Sequence, residues 1–185
     1  MRVIAGSARG RRLFVPPGLD VRPTKDRVRE AVFSALDARG LLVGASVLDL
    51  YAGSGALGIE ALSRGADSAV FVEQHRPAAD AIAQNVESLG FDATRVVCGS
   101  VHSFLQGARP NEALFDLVFA DPPYDTTDAA AGSVLTALAE SGWLSEDAFV
   151  SLERPRRAAL LPPPELQVVW ERTFGDTLIV FLTAA

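Results

Sequence analysis

The chain has 185 residues and a formal net charge of −6, a length that fits one compact domain with a small appendage. Apolar residues make up 49 %, enough to bury a substantial core, and no apolar run approaches the roughly 18 residues of a membrane-spanning helix. No apolar segment follows the basic N-terminus as it would in a signal peptide, so we expect a cytoplasmic protein with no membrane partner. The single cysteine, Cys98, excludes an intrachain disulfide, and its apolar sequence neighbours predict a small buried residue.

Positive charge is concentrated at the N-terminus. Residues 1–30 contain eight basic and three acidic side chains, a net charge of +5, whereas residues 31–185 contain nine basic and twenty acidic ones, a net charge of −11. This asymmetry predicts a polyanionic partner such as a nucleic acid, although a solvated run of charges is the alternative. Seven of the eight basic residues are arginines, which suit phosphate contacts and stacking on bases. The arginines that we assign to nucleic-acid binding are Arg9, Arg11, Arg12 and Arg22.

The first predicted elements are two short extended runs, at residues 2–5 and 12–15, joined by a basic loop. This pattern is typical of a β-hairpin. A helix follows, with Thr24 as its N-cap and Gly40 as its stop signal.

Predicted strands and helices then alternate, which is typical of a parallel sheet covered on both faces. The predicted strands lie near residues 46–51, 68–73, 94–98, 114–120 and 147–152, and the predicted helices near 56–64, 76–89, 101–107 and 128–141. The last two extended runs, 166–173 and 177–183, are joined at Gly175 and predict a terminal antiparallel hairpin. The fold class is therefore α/β, with a seven-stranded mixed sheet and a small N-terminal β-hairpin.

A glycine-rich loop follows the first predicted strand of the sheet. Gly53, Gly55 and Gly58 match the G-x-G-x-x-G pattern of nucleotide-binding loops that connect a strand to a helix. Glu73 ends the next strand twenty residues after Gly53, where an acid can accept hydrogen bonds from both ribose hydroxyls. This spacing alone would suit NAD equally well.

Asp49 favours one cofactor over another. It lies four residues before the first glycine, where a carboxylate would repel a pyrophosphate but attract the ammonium and sulfonium groups of S-adenosylmethionine. We therefore expect S-adenosylmethionine, bound by Asp49, Gly53 and Glu73. From their positions in the chain we add further cofactor contacts, the last two near the adenine: Thr24, Tyr51, Ser54, Gly55, Ser100 and Val101.

The tetrapeptide Asp121-Pro122-Pro123-Tyr124 follows the fourth predicted strand, at the sheet edge where ligands bind. Because proline has no N–H, the Pro122 backbone offers only a carbonyl acceptor. Asp121 and this carbonyl can accept the two hydrogens of an exocyclic base amine, and Tyr124 can stack on a flipped-out base. We therefore assign catalysis to Asp121, Pro122 and Tyr124, against the alternative of a proline-stiffened turn.

These motifs, in this order, resemble those of class I amino-methyltransferases. Three other patterns resemble the RsmD family: Gly6-x-x-Arg9-Gly10-Arg11-x-Leu13-x-x-Pro16, Arg22-Pro23-Thr24-x-Asp26-x-Val28-Arg29-Glu30, and Glu60-Ala61-Leu62-Ser63-Arg64-Gly65-Ala66. The resemblance implies a Rossmann-like enzyme that methylates N2 of a guanine in 16S rRNA, with an RNA-binding N-terminal arm (residues 1–22) and a methyltransferase domain (residues 23–185). One departure is that Cys98-Gly99-Ser100 stands where many methyltransferases carry an acid for the adenine amine.

Several alternatives stay open on sequence alone. Adenine-N6 methylation of DNA and methylation of another rRNA guanine share these motifs, whereas a nicotinamide oxidoreductase or a non-catalytic RNA-binding module would belong to other classes. The short arm favours an assembled or assembling small ribosomal subunit as the partner of a monomeric enzyme, and no metal is expected. Three arginines after the fifth predicted strand suit either RNA contact or a solvated turn: Arg154, Arg156 and Arg157.

Overall fold

The computed structural model describes residues 1–17, 23–107, 114–123, 126–140 and 142–185. Within these residues, seven strands form one sheet in the order β3-β2-β1-β4-β5-β7-β6. The strands are β1 Ser46–Leu50, β2 Ser68–Glu73, β3 Thr94–Cys98, β4 Phe115–Ala120, β5 Leu144–Pro155, β6 Leu166–Phe174 and β7 Thr177–Ala184. The helices are α1 Pro23–Asp37, α2 Ala56–Ser63, α3 Arg76–Leu89, α4 Val101–Gln106 and α5 Asp128–Glu140.

The sheet is mixed, as predicted. Strands β1 to β5 run parallel to one another, and β7 is antiparallel to both β5 and β6. Strand β5 is longer than the predicted 147–152 because its pairing with β7 continues as far as Pro155, opposite Thr177. Its early start at Leu144 accompanies a register irregularity against β4.

The helices cover both faces of the sheet, so the central strands are apolar on both sides. On one face, Val47 and Phe119 pack with Phe33 of α1 and Ile82 of α3. On the other face, the core side chains come from β1, β4, α4 and α5, and include Leu48, Val118, Leu105 and Leu135. The carboxyl ends of β1, β2, β4 and β5 lie at one edge, between these two layers of helices.

The N-terminal arm contacts α2 through a buried glutamate. The arm has a single antiparallel bridge, between Arg2 and Arg12, in place of two regular strands. Glu60, which has no exposed surface, accepts hydrogen bonds from the backbone N–H groups of Ile4 at 2.7 Å and Ala5 at 2.9 Å. A charge-assisted bond to a backbone N–H is among the stronger protein hydrogen bonds, so the arm is anchored through its backbone.

The end of α2 explains the glycine at position 6. The backbone N–H of Ser7 donates to the Ser63 carbonyl at 2.7 Å, and the Ala8 N–H donates to the Ser63 hydroxyl at 2.9 Å. Gly6 has a φ of +80°, and a Cβ there would lie 1.7 Å from the Ser63 carbonyl oxygen. Only glycine allows this approach of the arm to α2.

Helix α3 holds the other end of the arm. The Asn85 side chain accepts from the Phe14 N–H at 2.7 Å and donates to the Phe14 carbonyl at 2.9 Å. One amide side chain thus satisfies both backbone groups of an extended residue, as a neighbouring strand would.

The prediction that Cys98 is buried is wrong. Cys98 is exposed because β3 is an edge strand, in which each residue is half-buried or exposed. In the described part of the chain, the helices all fall short of the length and apolar character needed to cross a membrane.

Candidate active site

A cavity of about 400 Å³ lies at the carboxyl edge of the sheet. Most of the predicted site residues that the structure describes line this cavity. The residues predicted to bind the cofactor that line the cavity are Asp49, Tyr51, Gly53, Ser54, Glu73 and Val101. Asp121 and Pro122, predicted to be catalytic, line the same cavity.

The glycine loop is held by the acid of the next strand. One Glu73 oxygen accepts from the Gly53 N–H at 2.8 Å, and the other accepts from the His75 N–H at 2.7 Å. Glu73 is only 6 % exposed, and its carboxylate has further lone pairs after these two bonds. It therefore fixes the loop and can still accept from a ligand.

The third glycine serves close packing. A Cβ at Gly58 would lie 2.4 Å from the Phe71 ring, so α2 could not approach β2 with any larger residue here. Tyr51, just before the loop, has a φ of 59°, which is uncommon for a non-glycine residue, and such strained residues are enriched at functional sites.

Asp49 is a buried carboxyl group of the site with a strongly raised pKa. It is 1 % exposed and accepts a hydrogen bond from the Gly58 N–H at 2.8 Å. The pKa of Asp49 is raised to about 8, mainly by burial and to a smaller extent by the negative charges of Asp121 and Glu73, and the hydrogen bond from Gly58 partly opposes this rise. The negative charges of Asp121 and Glu73 attract a cation and repel a pyrophosphate, and a bound cation would favour ionisation of Asp49 beside them.

Asp121 and Pro122 lie where β4 ends. Ala120 is paired with Leu50 of β1 and with Leu152 of β5. Asp121 is half-buried, Pro122 is buried and Pro123 is exposed. Both predicted acceptors for a base amine are therefore beside the pocket that contains Asp49.

Some predicted contacts have other partners or lie outside the description. Ser100 is the N-cap of α4, where its hydroxyl oxygen accepts from the Ser103 N–H at 3.1 Å, while Val101 beside it faces the cavity. Gly55 begins α2 and is not among the residues that line the cavity. Arg22, Tyr124 and the side chain of Thr24 lie outside the described residues.

Arg154 is neither an RNA contact nor part of a solvated turn, because β5 continues through it. It is 3 % exposed, and its guanidinium donates to the Thr126 carbonyl and to the Asp128 carboxylate, both at 2.9 Å. This hydrogen bond to Arg154 is the main cause of a lowered pKa for Asp128. Arg154 thus anchors the chain that follows the Asp121-Pro122-Pro123-Tyr124 tetrapeptide, whereas Arg156 and Arg157 are exposed.

Three of the four arginines assigned to nucleic acid are exposed on the arm: Arg9, Arg11 and Arg12. Arg11 donates to the Ser88 carbonyl at 2.8 Å. A further arginine, Arg29 of α1, is buried and donates to the Arg2 carbonyl at 2.5 Å. Arg29 therefore helps to hold the arm against α1 through the Arg2 carbonyl.

We expect Glu73→Ala to weaken binding of S-adenosylmethionine by roughly 10–100-fold, since it removes a charged acceptor and the anchor of the glycine loop. Isothermal titration calorimetry with the purified protein measures this change. Glu73→Gln keeps one acceptor oxygen and serves as the control, with an intermediate loss. Unchanged affinity in the alanine variant would show that the acid is only structural.

Comparison with known proteins agrees with this geometry. A family model described as "Conserved hypothetical protein 95" matches residues 1–183. Ribosomal RNA small subunit methyltransferase D of Escherichia coli (strain K12) is 39 % identical over 154 residues, which cover 83 % of this chain and 74 % of that protein. This chain belongs to the ribosomal RNA small subunit methyltransferase D family.

Other known proteins match over more of the chain. Ribosomal RNA small subunit methyltransferase D of Haemophilus influenzae (strain ATCC 51907 / DSM 11121 / KW20 / Rd) is 34 % identical over 177 residues, 95 % of this chain and 89 % of that protein. The solved structure of a hypothetical protein from Thermus thermophilus has a TM-score of 0.82 at 33 % identity, covering 100 % of this chain and 99 % of that one. The resemblance inferred from the motifs and the predicted fold class are both confirmed.

Proposed function

We propose that this protein transfers a methyl group from S-adenosylmethionine to the exocyclic N2 amine of a guanine in 16S rRNA. One observation carries the proposal: the acceptors Asp121 and Pro122 line the same cavity as the acidic cofactor residues Asp49 and Glu73. Family membership supports it, since curated relatives are named for methylation of small-subunit ribosomal RNA.

The residues present fit this cofactor. S-adenosylmethionine supplies an electrophilic methyl group on a sulfonium and also carries an ammonium group. Asp49 lies in a cavity of about 400 Å³ and is close enough to Glu73 and Asp121 for their charges to raise its pKa. These carboxylates suit a cationic ligand and disfavour the pyrophosphate of a nicotinamide nucleotide.

The protein's own contribution is to position and polarise the amine. Asp121 and the Pro122 carbonyl accept its two hydrogens, which holds the nitrogen in place and stabilises the positive charge that develops on it. Once the methyl group is on the nitrogen, one of these protons passes to the Asp121 carboxylate, and the amine is neutral again. Tyr124 stacks on the base after it leaves the RNA helix. Arg154 keeps this segment in position through the Thr126 carbonyl.

The arm, residues 1–22, is proposed to bind RNA, and residues 23–185 form the catalytic domain. Residues 31–185 carry a net charge of −11, so the body alone would be repelled by a polyanion. The exposed arginines of the arm supply the opposite charge. Because the arm is too short to recognise the target RNA by itself, we propose that the substrate is an assembled or assembling small ribosomal subunit, whose surface provides further contacts. We propose a monomeric enzyme that acts in the cytoplasm.

We expect the triple variant Arg9→Ala, Arg11→Ala and Arg12→Ala to raise the KM for RNA and to flatten the plot of log affinity against log salt concentration. The slope should change by about two to three units, at ~0.7–0.9 per lost phosphate contact, because each neutralised phosphate releases counterions. Binding measured by fluorescence anisotropy over a salt series gives the slope, and affinity for S-adenosylmethionine should barely change.

A matched control removes the same charge elsewhere. Arg76, Arg95 and Arg172 are exposed arginines outside the arm, and their triple alanine variant should leave the slope nearly unchanged. Equal slopes for wild type and the arm variant would refute RNA binding by the arm and leave the proposed chemistry intact.

The deciding experiment maps methylated nucleotides in small-subunit rRNA from cells with and without the gene. We expect one N2-methylguanine to disappear and to return when purified protein and S-adenosylmethionine are added to subunits from the deletion strain. Loss of a methyladenine from DNA would favour the adenine-N6 alternative. RNA binding with neither methylation nor affinity for S-adenosylmethionine would indicate a non-catalytic RNA-binding module.

A further inference from the structure

We propose that Glu153 makes the site selective for guanine by accepting a hydrogen bond from N1–H of the target base, beside the amine that Asp121 accepts. This inference rests on the proposed function and names the residue that would select the base. Glu153 belongs to β5, lines the same cavity as Asp121 and was not among the site residues predicted from sequence.

The strand register places the two carboxylates side by side. Ala120 of β4 is paired with Leu152 of the parallel strand β5, so the next residues, Asp121 and Glu153, are neighbours one step beyond that pair. Adjacent strands lie about 4.8 Å apart, and residues in equivalent positions point to the same face. Ile179 of β7, opposite Glu153, also lines the cavity and provides an apolar floor.

Two neighbouring acceptors match guanine and no other common base edge. Guanine presents N1–H and the N2 amine as adjacent donors, whereas adenine presents the lone pair of N1 beside its N6 amine. An ionised carboxylate can only accept. With the amine at Asp121, guanine would donate N1–H to Glu153, whereas adenine would place a lone pair against that carboxylate.

Glu153 also interacts with other groups of the protein. This does not prevent base recognition, since an ionised carboxylate has about four lone-pair sites. A side chain already held by the protein is better oriented for a ligand than one that must be ordered on binding.

The test changes the hydrogen-bonding edge of the target base in the substrate and the side chain of Glu153 in the enzyme. Small-subunit rRNA is prepared by splinted ligation with either guanine or 2-aminopurine at the mapped target position. 2-Aminopurine keeps the N2 amine but has a lone pair at N1 and lacks O6. We expect wild-type protein to prefer guanine by at least about tenfold in kcat/KM, the effect of a hydrogen bond to a charged group.

In Glu153→Gln the amide can donate to the N1 lone pair, so the guanine preference should fall by about tenfold or more. The missing O6 affects both enzymes alike and cancels when their preferences are compared. Glu146→Gln, at an exposed position of the same strand, is the control and should keep the wild-type preference. Glu153→Asp keeps an acceptor and should also retain it.

The outcomes separate the two proposals. If wild-type protein fails to methylate the guanine substrate, the proposed function is wrong and the assignment of Glu153 falls with it. A second outcome is that wild-type protein methylates guanine but Glu153→Gln keeps the wild-type preference. If the melting temperature shows that this variant is folded, only the assignment of Glu153 is overturned. An equal loss of preference in Glu153→Asp and Glu153→Gln would mean that keeping a carboxylate acceptor does not preserve the selectivity, and this would also overturn the assignment of Glu153.

Discussion

Asp121→Ala should lower the rate of methyl transfer by at least about 100-fold, which is the usual effect of removing one group that stabilises charge in a transition state. The variant loses an acceptor that aligns the amine and offsets the positive charge developing on nitrogen. The rate of Asp121→Asn should lie between those of wild type and Asp121→Ala, because the amide oxygen still accepts a hydrogen bond but the negative charge is gone. Single-turnover assays with saturating RNA and labelled S-adenosylmethionine measure the chemical step directly.

Cofactor binding provides the control for this experiment. Asp121 is half-buried at the sheet edge, outside the core, so its replacement should leave the melting temperature close to that of wild type. Affinity for S-adenosylmethionine should fall far less than the rate of methyl transfer, since Asp49 and Glu73, the acids assigned to the cofactor, remain. A variant that keeps more than a third of wild-type turnover would contradict a role for Asp121 in catalysis.

The parts of the fold that follow from local patterns could be predicted from sequence. Strand β1 and the loop at Gly53 have a buried apolar run followed by glycines, and Asp49 and Glu73 occupy fixed positions around that loop. Asp121 follows another apolar strand, so the topology of a parallel sheet brings it to the same edge. Such predictions need only the spacing of apolar residues along the chain and the rule that the carboxyl ends of parallel strands lie at the same edge of a sheet.

The contacts that hold the arm could not be predicted in this way. Glu60 and Ser63 bind backbone groups more than fifty residues away, and Asn85 binds Phe14 across 71 residues. A polar side chain on a helix looks the same in sequence whether it faces solvent or a distant backbone N–H. Only the packing of the arm against α2 and α3 decides between the two.

The positions of β3 and β5 in the sheet explain why the predictions for Cys98 and Arg154 differ from the structure. Cys98 is exposed because β3 lies at the sheet edge, and Arg154 is buried because β5 pairs with β7 beyond residue 152. Neither neighbour relation is encoded in the local pattern, since an apolar run has the same sequence in an edge strand and in a central one. The sequence therefore locates the strands better than it locates their partners.

Asp49→Asn should have opposite effects on stability and on cofactor binding. Burial raises the pKa of Asp49 to about 8, so between about pH 4 and pH 8 the folded protein retains a proton that the unfolded chain releases. The folded state then binds more protons than the unfolded state, and the stability of wild type falls as the pH rises through this window. Asparagine does not titrate and can still accept from the Gly58 N–H.

The stability difference should therefore grow with pH. We expect the asparagine variant to resemble wild type near pH 4 and to be more stable by several kcal/mol at pH 8, because each unit by which the folded pKa exceeds the unfolded one corresponds to about 1.4 kcal/mol. Urea unfolding at a series of pH values measures the difference. A variant that is less stable than wild type at pH 8 would mean that the charged form of Asp49 is stabilised in the fold.

Cofactor affinity should change in the other direction. The cationic cofactor favours ionised Asp49, so affinity of wild type should increase as the pH approaches 8, whereas the variant lacks this dependence and should bind at least about tenfold more weakly at pH 8. Titration of the cofactor's own amine affects both proteins and cancels in the comparison. Calorimetry in two buffers of different ionisation enthalpy should also detect a proton released when wild type binds at pH 7, and a smaller release for the variant. Equal affinities and equal proton release would place the positive groups of the cofactor away from Asp49, and the choice of cofactor would then have to rest on Glu73 and Asp121.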